Sequence, residues 1–124
     1  MAKFADDSVL DASHAETATA TRQTVCSAQP SNFADIANVD LAESTLTAGL
    51  GGGDWSVANG DVSGRKVTIA QQADAAIHTS GNATHIAYDD GATLLRVTTC
   101  PSQALTNGGT VTVGAHDFEI EDPE

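Results

Sequence analysis

In the second half of the chain the apolar residues recur at every other position, the spacing of a β-strand with one face buried. In GRKVTIAQQ (64–72), Val67 and Ile69 share one face, while Lys66 and Thr68 share the other. AAIHTSGN (75–82) ends in a turn, and THIAYDDGATLLRVTTC (84–100) reads as a β-hairpin. Ile86 and Tyr88 alternate on its first arm, Asp90-Gly91 make the turn, and Leu95 and Val97 alternate on the second. Asn107-Gly108 mark a further turn. In the run that follows (109–122), Val111 and Val113 hold odd positions, but Phe118 and Ile120 hold even ones. That change of parity predicts a β-bulge or a bend near Gly114 to His116.

The first half is less regular. TRQTVCSA (21–28) reads as a strand rich in Thr and Val, followed by Pro30. SNFADIA (31–37) predicts a short helical turn capped by Ser31 or Asn32, and DLAESTLTA (40–48) a second extended segment. GLGGGD (49–54) is a loop, because four glycines in five positions hold no regular element. DWSVANGD (54–61) ends in an Asn59-Gly60 turn. Upstream, FADDSVLDASHAETATA (4–20) predicts a short helix capped by Asp6 or Asp7, with Val9 and Leu10 on its inner face. The Thr-Ala alternation has poor helix propensity, so the helix should fray before Arg22; a flexible arm is the competing reading.

The sum is about seven to nine short strands separated by turns, with a minor helical element. It predicts an all-β fold: a sandwich or jelly-roll-like domain of short antiparallel strands (a barrel being the variant), with a short N-terminal helix or arm. The expected division is 1–20 for the helix or arm and 21–124 for the β-sandwich domain, within the one-domain size of a 124-residue chain.

Composition narrows the function. Large rings are few (Phe4, Phe33, Trp55, Tyr88, Phe118), so the expected core is small and built on Val, Ile and Leu. Five basic residues face seventeen acids, a formal charge of -12. A surface that negative repels phosphate backbones and anionic lipid, so neither nucleic acid nor membrane is an expected partner. The first residues carry no apolar stretch of signal-peptide type, and no run approaches the length of a membrane span.

Motifs for chemistry are missing. The four histidines (14, 78, 85 and 116) show no H-x-x-x-H or H-E-x-x-H spacing, although His85 and His116 could approach across strands beside Asp117. The glycine cluster lacks the GK[ST] of a phosphate loop, and Asp89-Asp90-Gly91 is more simply a turn than a pair of catalytic carboxylates. Cys26 and Cys100 lack metal-ligand spacing and sit in Thr-rich, acidic surroundings that disfavour a thiolate. Buried thiols on neighbouring strands are favoured over a bridge. The expectation is no catalytic residue, no cofactor and no metal.

The segment ATHIAYDDGATLLRVTTCPSQALTNGGTVTVGAHDFEI (83–120) resembles the C-terminal portion of many small virion proteins of tailed phages. MAKFADDSVLDAS (1–13) and TRQTVCSAQP (21–30) are also similar to small phage and prophage proteins. The shared motifs are structural. They imply a particle component assembled in the host cytoplasm and located in the virion. The foremost expectation is a decoration (cement) protein that binds the major capsid protein, or other virion subunits, as a dimer or trimer. A neck, tail or fibre component is the alternative, and a carbohydrate-binding module stacking sugars on Trp55 and Tyr88 a further one. The candidate interface residues are Phe4, Val9 and Leu10 of the arm, Phe33, Trp55 and the basic pair Arg65-Lys66. For Trp55 and Phe33, an interface anchor and a plug of the domain's own core are equally open.

Overall fold

A computed structural model describes residues 5–121. Asp6 caps the first helix, α1 (Asp7–Thr17), by accepting the Ser8 backbone N–H at 3.0 Å. Leu10, His14 and Thr17 form the buried stripe, one helical turn apart. Val9, expected beside Leu10 on the inner face, is instead 61% exposed, because adjacent helical residues are turned about 100° from one another. The helix ends before Arg22, as its composition requires.

The strands are β1 (Arg22–Cys26), β2 (Asp40–Thr45), β3 (Trp55–Asn59), β4 (Arg65–Ile69), β5 (Gln72–Ala76), β6 (Gly81–Asp89), β7 (Leu94–Leu105), β8 (Thr110–Val113) and β9 (His116–Ile120). They form antiparallel sheets in the orders β2-β1-β6-β7, β3-β4-β9 and β5-β8. This is the expected all-β, sandwich-like architecture with a short N-terminal helix. A second helix, α2 (Ile36–Val39), begins later than the predicted turn over 31–37. The Asp35 carboxylate accepts the Ser31 N–H, and the Asn32 side chain accepts the Asp35 N–H, both at 2.9 Å, which ties 31–35 into turns.

The β6–β7 hairpin forms where the alternation placed it. Asp90 Oδ1 accepts the Ala92 and Thr93 N–H groups at its turn, and Gly91 takes φ +92°. Ile86 and Tyr88 are buried, but so are Ala87 and Asp89, because β6 lies inside its sheet and is covered on both faces at this end. The buried Asp89 carboxylate is fully engaged, by Arg22 Nε at 2.8 Å and the Gly91 N–H at 3.0 Å. Asn59-Gly60 opens the β3–β4 connection, but the left-handed residue is Gly64, at φ +69°. The parity change after residue 113 is a change of sheet: β8 pairs with β5 and β9 with β4, with the break at Gly114-Ala115.

Tyr88 joins the two larger sheets. Its ring meets Trp55 of β3 at 5.5 Å and Phe118 of β9 at 5.6 Å between centroids, both edge-on. Its hydroxyl accepts from Gln23 Nε2 at 2.8 Å and lies 2.7 Å from His116 Nε2. His116 Nδ1 faces the Gly114 carbonyl at 3.1 Å, and a carbonyl only accepts, so Nδ1 carries the ring proton and Nε2 accepts the hydrogen bond donated by the Tyr88 hydroxyl.

Tyr88→Phe keeps the ring contacts and strands the hydrogen-bond partners, so it should cost about 1–3 kcal/mol in urea unfolding. Tyr88→Ala should cost about 3–5 kcal/mol, through the cavity between the sheets. Gly91→Ala should cost about 1–2 kcal/mol from left-handed strain alone. Gly64→Ala should cost more in the same assay, because its Cβ would also run into the Ile120 carbonyl oxygen.

Candidate docking surface

Most of the side chains singled out for an interface are engaged inside the domain. Leu10 is buried under α1, and Trp55 is 1% exposed. Of the two readings open for Trp55, the structure takes the core plug. Arg65 grips the Asp11 carboxylate of α1 through Nε at 2.8 Å and Nη2 at 3.3 Å, and bonds Asn59 Oδ1 at 2.8 Å. Lys66 pairs with Asp61 at 2.9 Å and Asp117 at 3.3 Å. These acids raise the pKa of both bases, through Asp11 for Arg65 and through Asp61 and Asp117 for Lys66. Val9 is on the surface; Phe33 is half-buried, with the Arg22 guanidinium 5.8 Å above its ring. Phe4 lies outside the described residues.

An apolar surface that these residues do not form lies along β7. This twelve-residue strand ends its sheet, so its outer edge pairs with no strand among the described residues. Beside it runs a groove of about 220 Å³ lined by Val25, Ile86, Cys100, Leu105, Val111 and Val113. A second depression shares Ile86, Cys100 and Val113 and continues to His116 and Asp117. Apolar side chains thus flank an edge that still has backbone donors and acceptors, interrupted at Pro101, which has no N–H. The alternation of Val111 and Val113 marked them as inward-facing. Nothing local indicated that their sheet would stand apart from β7 and leave a gap.

The reactive groups are restrained. Burial, reinforced by Asp40, pushes the Cys26 thiol up to about 12, and burial raises Cys100 as well. Both thiols are free, but their strands are not neighbours: β6 lies between β1 and β7. Burial also pushes the Tyr88 phenol well above its ordinary range. His85 and His116 do not form a pair; the first bonds Thr84 at 2.8 Å and the second Tyr88. Trp55 and Tyr88, the proposed sugar platform, are both buried, which removes the stacking surface that a carbohydrate-binding module needs.

No protein-family model, curated protein or solved structure matches the chain. Among the described residues, no helix is long and apolar enough to cross a membrane.

Cys26 should resist a thiol reagent at pH 8 in the native protein, and Cys100 should react slowly, with rates rising as pH increases. Both should react promptly in denaturant. Quantifying released chromophore under the two conditions checks this.

Proposed function

We propose that this chain is a non-catalytic structural subunit of a tailed-phage particle, acting as a decoration protein that docks on the major capsid protein of the head. The observation that carries the reading is the apolar groove alongside the unpaired edge of β7. An extended segment of a neighbouring subunit can add its backbone to such an edge and seat alternate apolar side chains in the groove. The restrained thiols and the likeness of 83–120 to virion proteins support an assembly role over a reaction. The charge of -12 supports a surface that repels its own copies except where contacts are specific. Each contact is modest, and symmetric copies on a shell, acting as dimers or trimers, combine by multivalency.

Stained gels of purified particles carrying this chain should show it in hundreds of copies. A few to dozens would point to the neck, tail or fibre, and absence from particles would overturn the proposal. Val111 is half-buried in the groove wall, so Val111→Arg should leave the far-UV circular dichroism intact. The same change should lower binding to undecorated particles by roughly tenfold or more in co-sedimentation, a loss of about 1.4 kcal/mol.

A further inference from the structure

We propose that Asp40, Glu43 and His78 form a binding site for a zinc-like divalent cation, which would staple β2 to the segment following β5. The sequence carries no ligand spacing for such a site, and the sheet margins create it. Asp40 opens β2, Glu43 lies further along it, and His78 follows an Ala42–Ile77 bridge that lays its segment against β2. The His78 and Thr79 N–H groups both donate to the Leu41 carbonyl, at 3.0 and 3.4 Å, which fixes the imidazole beside the strand.

The imidazole is oriented as a ligand would be. Its Nδ1 lies 2.9 Å from the Thr79 hydroxyl, so Nε2 is the nitrogen turned to the acids. A metal-binding histidine is held in the same way, by a partner on its other nitrogen. Nε2 stands 2.9 Å from Asp40 Oδ1 and 3.7 Å from Glu43 Oε1, and one donor atom from each residue lies within 4.8 Å of the others. Four-coordinate zinc, with bonds of about 2.0–2.1 Å, sets its donors about 3.3–3.4 Å apart, so small side-chain rotations close the three around the ion. One imidazole and two carboxylates make a mixed nitrogen–oxygen set of the kind zinc accepts, with a fourth position left to water.

One further observation favours a cation here. Arg22 reaches only the far oxygen of Glu43, Oε2, at 3.2 Å, and leaves the oxygens that face His78 to the site.

The test uses the full chain after treatment with a chelator. Calorimetric titration with Zn²⁺ should give one site per chain. Zn²⁺ at a hundredfold excess over its Kd should raise Tm by roughly 10 °C, and Mg²⁺ should leave it unchanged. Co²⁺ should give the intense visible bands of a four-coordinate site. His78→Ala, at a side chain 48% exposed and so dispensable for folding, should abolish these signals, and Asp40→Asn should weaken binding at least tenfold. Cys100→Ser and His85→Ala should bind Zn²⁺ as the unaltered chain does. Absence of saturable uptake, binding that survives His78→Ala, or binding lost on removal of Cys100 or His85 would overturn the proposal.

Discussion

The fold depends on the phenol of Tyr88 being held between two sheets. Its ring is the contact through which β6 of the four-stranded sheet meets β3 and β9 of the three-stranded one. In a chain with so few large rings, Trp55, Tyr88 and Phe118 supply most of the bulky apolar surface that a joint between sheets requires. The hydroxyl adds direction. By engaging Gln23 on β1 and His116 on β9, it ties the registers of both sheets to one buried point. The remaining core, largely Val, Ile, Leu and Ala, fills space around that point.

The acidic excess follows from how the bases are used. Arg22 engages Asp89 and Glu43, Arg65 engages Asp11, and Lys66 engages Asp61 and Asp117. Arg96 stands 5.1 Å over the Phe118 ring and donates to Thr17. Each described base therefore ties one element of the domain to another, and most of the negative charge is left toward solvent. Crowding of acids is visible at Asp40, where burial and the neighbouring Glu43 push the carboxyl up to about 6.

The margins of the sheets carry the features that the core does not use. Where β8 leaves β7 unaccompanied, a groove opens; where the segment after β5 folds onto β2, two carboxylates and an imidazole converge. Both arise because the strand path divides among three sheets instead of closing into one.

By itself the sequence determined the local order of this protein. Alternation at 67–69 and 86–88, the Asp90-Gly91 turn and the parity change before His116 are written at period two or in turn chemistry, which depend only on neighbouring residues. Even the cap of α1 at Asp6 was legible, for the same reason. The tertiary structure decided what each face meets. Burial of Trp55 and the capture of Arg65 by Asp11 depend on sheet order and on contacts between residues far apart along the chain. His78 reached Asp40 and Glu43 in the same way: no spacing links them, and only the folding of one sheet margin onto another brings their donor atoms within 4.8 Å.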